Sequence, residues 1–98
     1  MVLNKKIRIF LAIASFMMVL AISLGAFGAH ALKAILSEPM LKIYNTGIEY
    51  HFYNTLGLFA IGFMSYLLPN SSKLKKGYYF ILAGILIFSF SLYILSLT

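Results

Sequence analysis

The stretch Ile9–Ala29, IFLAIASFMMVLAISLGAFGA, runs for 21 residues without a charge. A hydrocarbon core about 30 Å thick takes about 20 helical residues at about 1.5 Å each, so this stretch is long enough to cross a membrane. Two further uncharged stretches follow. Tyr50–Leu68 has 19 residues, opening after Glu49 and closing at Pro69, and Gly77–Thr98 has 22. Inside lipid each backbone N–H and C=O must be satisfied within its own segment, which favours helices for spans of this kind. The sequence therefore predicts an all-α integral membrane protein: a single membrane domain over residues 1–98, with three transmembrane helices at approximately 9–29, 50–68 and 77–98.

The composition agrees with that reading. Of 98 residues, 62% are hydrophobic and 10% charged, against about 25% charged in an average globular domain. So short a soluble chain has too little interior to hide this much apolar surface, which excludes a soluble monomer and a disordered tail. The absence of cysteine removes a disulfide scaffold, a thiolate metal site and a C-x-x-C redox centre. The net charge of +6 would suit nucleic acid only on a water-facing basic surface, so no nucleic-acid partner is expected.

The cations instead set the orientation. Lys5, Lys6 and Arg8 precede the first span, and Lys73, Lys75 and Lys76 separate the second from the third. The first connection carries Lys33 and Lys42 beside Glu38 and Glu49. The positive-inside rule puts the N-terminus and the Lys73–Lys76 loop in the cytoplasm, as in a multi-pass protein of a bacterial inner membrane. Tyr78 and Tyr79 on the inner side, and Tyr44, Tyr50 and Tyr53 on the outer, stand where interfacial aromatic anchors belong. Ala29-His30-Ala31 resembles a leader cleavage site, but the apolar run before it exceeds the 7–15 residues of a usual signal peptide, which favours an uncleaved helix.

Helix association in lipid relies on small residues and interhelical hydrogen bonds. Ala14, Ala21, Gly25 and Gly28 share one side of the first span. On the second, Gly47, His51, Asn54, Thr55, Leu58, Gly62 and Ser65 fall within an arc of about 100°, opposite Phe52, Phe59 and Phe63. Gly77, Gly84 and Ser91 recur every seven residues on the third, predicting a close-packing edge there. Roughly opposite them, Ser89, Tyr93 and Ser96 form a hydroxyl stripe that three helices do not obviously cover, so a second copy or another membrane protein is expected against it. Between the first two spans, Ser37 is placed to cap a helix opened by Glu38 and Pro39.

His30, Glu49 and His51 are the acid–base candidates near the membrane. Each histidine is about 12–16 Å from the middle of its span on the outer side, so the pair could ligate haem or a divalent metal if it converged. The plainer reading, interfacial histidines bonded to water or a carbonyl, is favoured. Neither a metal nor another cofactor is expected, and no catalytic residue is assigned. Glu49 and His51 are two apart on a helix and point in different directions. His51 with Asn54 and Thr55 reads either as a network clamping helices together or as a polar pocket for a proton or solute. There is no phosphate loop, nucleophile elbow or zinc-protease motif, hence no enzyme signature.

Three segments carry a family resemblance. Leu24–Lys33, LGAFGAHALK, resembles the LGAFGAHGLK signature of the YgdD-like small membrane proteins. Thr46–Asn54, TGIEYHFYN, is similar to their TG-x-x-YH-x-x-H segment, with Asn54 in place of the second histidine. Phe88–Thr98, FSFSLYILSLT, is similar to FSGSLYLLALT, with Phe90 where the family has glycine. The resemblance implies a bacterial inner-membrane location and no established activity. It also implies a four-helix pattern, whose fourth helix would cover Ser89, Tyr93 and Ser96. The reading that follows is a non-enzymatic structural or accessory membrane component. A small transporter or channel subunit using His51, Asn54 and Thr55 is the alternative, ahead of a haem- or quinone-binding accessory through His30 and His51.

Overall fold

A computed structural model describes residues 3–98 as three long helices joined by two short connections. Helix α1 covers Lys5–His30 and α2 covers Glu38–Leu67. Helix α3 runs Ser72–Leu97, with a π-helical turn at Ile85–Ser89 between α-helical stretches Ser72–Gly84 and Phe90–Leu97. A 3-10 turn at Leu32–Ala34 links α1 to α2. Each helix begins on a polar cap that takes an otherwise orphaned backbone N–H. Asn4 accepts from the Ile7 amide at 2.9 Å, Ser37 from Met40 at 3.4 Å and Ser71 from Leu74 at 3.3 Å. Pro39 sits in the first turn of α2, where no intrahelical N–H is missed.

The helices run up, down and up, with α2 in the middle of the layer. Lys6 Nζ donates to the Pro69 carbonyl at 2.8 Å, tying the start of α1 to the α2–α3 turn. At this end Tyr78 of α3 reaches α1 directly. Its ring stacks on Phe10 with centroids 3.9 Å apart, and its hydroxyl donates to the Phe10 carbonyl. Ala14, Met17, Leu58 and Ile85 complete the buried cluster around that stack. Nearer the other end Tyr44 donates to the Leu24 carbonyl, and Leu32, Tyr44 and Tyr93 form a second cluster.

Large apolar side chains cover the outside. Phe80 is 79% exposed and Ile87 72%, with Phe16, Val19, Ile22 and Phe63 also turned outward. In water such a surface would drive association; in lipid it is matched to its solvent. Among the described residues, α1 with its following turn and α3 are long and apolar enough to cross a membrane. Helix α2, at 30 residues, has the length and carries the polar stripe.

The inward stripe of α2 is Tyr44, Gly47, His51, Thr55, Leu58, Gly62 and Ser65. On α3, however, the helix is turned differently from the expected glycine edge. The buried row is Tyr78, Ile85, Ser89, Tyr93 and Ser96, while Ser91 is exposed and nothing lies within 4 Å of where a Gly84 Cβ would stand. The expected Gly77–Gly84–Ser91 packing edge is therefore corrected at Gly84 and Ser91, while Gly77 is in ordinary contact with Ile61 of α2. The hydroxyl stripe left without cover is corrected too: α2 of the same chain buries it, because Gly47 leaves room for the Tyr93 ring. Tyr44 and Tyr78 are likewise fully buried rather than interfacial, whereas Tyr50, Tyr53 and Tyr79 remain exposed.

Candidate functional site

The polar residues converge where α2 faces the second half of α3. His51 is fully buried, and its Nδ1 lies 2.8 Å from the Tyr93 hydroxyl. With the phenol assigned as donor, Nδ1 accepts and Nε2 carries the ring proton. Nε2 is buried and has no partner at hydrogen-bond geometry. Phe90 meets the imidazole edge-on, with centroids 5.7 Å apart. The Tyr93 ring rests against Tyr44, centroids 5.3 Å apart.

Gly47 makes this approach feasible. A Cβ there would stand 2.8 Å from Tyr93 Cε1 and 3.2 Å from the Ser89 carbonyl oxygen. Any larger residue would push α3 away and separate Tyr93 from His51. The π turn Ile85–Ser89 lies against the same part of α2, with Phe88 edge-on to Tyr50. Such turns disturb the regular backbone ladder and recur at functional sites.

Nearby hydroxyls bond back to their own helices. Thr55 donates to the His51 carbonyl at 2.7 Å and Ser96 to the Tyr93 carbonyl at 3.0 Å. Both are buried, so each bond satisfies a group that lipid or protein would otherwise leave without a partner. Ser65 and Ser89 have buried hydroxyl oxygens with no partner. Asn54 is half-buried at the edge of the stripe. Of the expected set, then, His51 and Tyr93 bond to each other, Thr55 and Ser89 are buried on the same stripes without bonding across them, and Asn54 lies at the edge.

His30 and Glu49 lie apart from this cluster. The contacts Gly25–Ile48, Gly28–Tyr44 and Gly62–Leu11 follow one antiparallel register. That register sets His30 level with Lys42 and Ile43, about 12 Å along the axis from His51. The two histidines are thus not at one depth, which corrects the premise of ligation between them. His30 is exposed at the end of α1, and Glu49 is exposed on a solvated face shared with Glu38, Lys42 and Asn45. Among the described residues no three His, Cys, Asp or Glu side chains group as a metal site would require. Of the expected packing glycines, Gly28 meets the Tyr44 ring, Gly62 would bring a Cβ to 3.1 Å from Leu11, and Gly25 is in ordinary contact with Ile48.

Tyr44 and Tyr78 are the residues that sequence reading misplaced. Both donate across to an α1 carbonyl. The signal was present: Tyr44 extends the Gly47–His51–Thr55 stripe by one turn, and Tyr78 is seven residues before Ile85. A tyrosine near a span end fits a membrane interface equally well, and that reading masked the periodicity.

These features define a class: an all-helical membrane protein whose polar residues join its own helices. The particular family follows from comparison with known proteins. The family described as "Protein of unknown function (DUF423)" matches residues 24–98, and the chain belongs to it. The UPF0382 membrane protein YwdK of Bacillus subtilis is 38% identical over 91 residues, covering 93% of this chain and 74% of that protein. The UPF0382 membrane protein SSP2132 of Staphylococcus saprophyticus is 36% identical over 91 residues, with the same coverages of 93% and 74%. A UPF0382 membrane protein of Haemophilus influenzae is 36% identical over 75 residues, 76% of this chain and 59% of that one. No solved structure matches the chain. Nothing in these comparisons indicates an enzyme.

Proposed function

We propose that this chain is a small, non-enzymatic structural or accessory component of a bacterial inner membrane, crossing it three times with its N-terminus in the cytoplasm. The observation that carries this reading is the fate of the polar stripe. His51 and Tyr93 bond to each other and so act as a clamp between α2 and α3, while Thr55 and Ser96 are satisfied by carbonyls of their own helices. Helix α2 counts as a span because the clamp turns those groups away from lipid, leaving Phe52, Leu56, Phe63 and Leu67 outside. The six cations beside the first and third spans support the orientation. The likeness to YgdD-like proteins agrees with the same placement. Membrane lipids are its immediate partners; a second copy or another membrane protein would fit the apolar groove between Leu20, Leu24, Phe90 and Ile94.

Reporter fusions test the topology. A reporter at Lys73–Lys76 is expected in the cytoplasm and one at Leu36–Ser37 outside; both on one side would remove α2 as a span. Isolation from native membranes tests the accessory role, which fails if no partner recurs. A second reading is favoured by the unpartnered His51 Nε2, Ser65 Oγ and Ser89 Oγ: a small transporter or channel subunit that uses the polar face around His51, Asn54 and Thr55. Flux into liposomes that His51→Ala leaves unchanged would sink it.

A further inference from the structure

The basic end of the molecule lacks side-chain counter-charge. Six of its eight Lys and Arg residues, Lys5, Lys6, Arg8, Lys73, Lys75 and Lys76, belong to the starts of α1 and α3. The two acidic residues, Glu38 and Glu49, lie on the first two-fifths of α2, and even Glu49 is roughly 27 Å along the axis from the α2–α3 turn. That is several times the Debye length of about 8 Å at physiological salt. The chain's acidic side chains therefore do not neutralise this end.

The cations also frame a cleft. Lys5 and Lys6 of α1 face Lys75 of α3 across a groove whose floor is Ile9, Phe10 and Tyr79. Tyr79 meets Phe10 edge-on at 5.9 Å, fixing the floor. From Tyr79 the surface continues down α3 as an apolar strip past Phe80 and Ala83, with Lys75 and Lys76 at its head. Lysines at the mouth and an apolar strip below them match a phosphate headgroup joined to an acyl chain. Basic pockets between helices at a membrane surface are suited to that chemistry. Lys5, Lys6, Lys75 and Lys76 stand just outside the first residues of their spans, at headgroup level.

We propose that the cleft between the starts of α1 and α3 is a binding site for one anionic phospholipid, its phosphate held by Lys5 and Lys75 beside Lys6, whose ammonium keeps its bond to the Pro69 carbonyl, and an acyl chain lying on Tyr79, Phe80 and Ala83. The site rests on the reading that α1 and α3 lie in a bilayer. It gives the basic end a ligand in addition to its orienting role.

The test is lipid retention by the intact chain. Protein purified in mild detergent is exposed to equal phosphatidylglycerol and phosphatidylcholine, washed, and its bound lipid measured by native mass spectrometry. Phosphatidylglycerol is expected to be retained at about one molecule per chain and at least about tenfold over phosphatidylcholine. Lys5→Gln with Lys75→Gln is expected to abolish that preference, whereas Lys33→Gln with Lys42→Gln, the same charge change at the other end, keeps it. Equal retention of the two lipids by the unaltered chain overturns the site without depending on any variant. Equal loss in both double variants overturns its location. Release of the lipid by millimolar inorganic phosphate would reassign the cleft to a free anion. Protease protection of the chain in vesicles separates the readings: a chain that inserts without lipid preference fails this proposal alone, and one that does not insert fails the membrane-spanning reading.

Discussion

At the basic end α3 is fastened straight to α1, by the Tyr78–Phe10 stack and the Tyr78 hydroxyl on the Phe10 carbonyl. Towards the other end the connection runs through α2, with Tyr93 bonded to His51 and Tyr44 to the Leu24 carbonyl. Where the aromatic stack joins the outer helices, the cleft between their starts is basic, with Ile9, Phe10 and Tyr79 beneath Lys5, Lys6 and Lys75. Where hydrogen bonds route through the central helix, an apolar groove remains between Leu20, Leu24, Phe90 and Ile94. One helix layer is thus held by two methods. The direct method depends on ring area, and the indirect one on a glycine that lets a tyrosine reach a buried histidine.

Substitutions can break that contrast. The largest effect is expected from Gly47→Ala, which puts a Cβ 2.8 Å from the Tyr93 ring and close to a backbone oxygen. Overpacking of about 1–3 kcal/mol, added to the loss of the Tyr93–His51 bond at about 1 kcal/mol, outweighs the helix-propensity gain of about 1 kcal/mol, so reversible unfolding in mixed detergent micelles should show a net loss. Tyr93→Phe keeps the ring and removes the bond to His51, with an expected loss of about 1 kcal/mol by the same measurement. Tyr78→Phe should cost less, about 0.5 kcal/mol, because the Phe10 stack survives without the hydroxyl. If Tyr78→Phe proves the costlier of the two, the division between ring area and hydrogen bonding is wrong. Gly84→Ala is expected to change stability in the opposite direction, a gain of about 0.4–1 kcal/mol, since open space surrounds the position and alanine favours the helix.

The α2 stripe from Gly47 to Ser65 was legible because its small and polar residues stand out in an otherwise apolar segment. The caps at Ser37 and Pro39 were legible because they are local chemistry. The rotation of α3 was not. Its sequence offers two narrow stripes, Gly77–Gly84–Ser91 and Ser89–Tyr93–Ser96, and small-residue logic favours the first. What decides for the second lies on another helix: Gly47 provides the space and His51 the acceptor, and neither is visible from α3 alone. The depth of His30 failed for a related reason. Counting from the middle of each span assumes that the helices start level, while the Gly28–Tyr44 contact sets the register.

The central claim is that His51 and Tyr93 form a clamp inside one chain, and a double-mutant cycle tests it most directly. Unfolding free energies of the unaltered chain, His51→Ala, Tyr93→Phe and the double variant isolate the interaction between the two side chains. The clamp predicts a favourable coupling of about 0.6 kcal/mol or more, within the range known for hydrogen bonds between membrane helices. Single effects that add to within about 0.3 kcal/mol would contradict it.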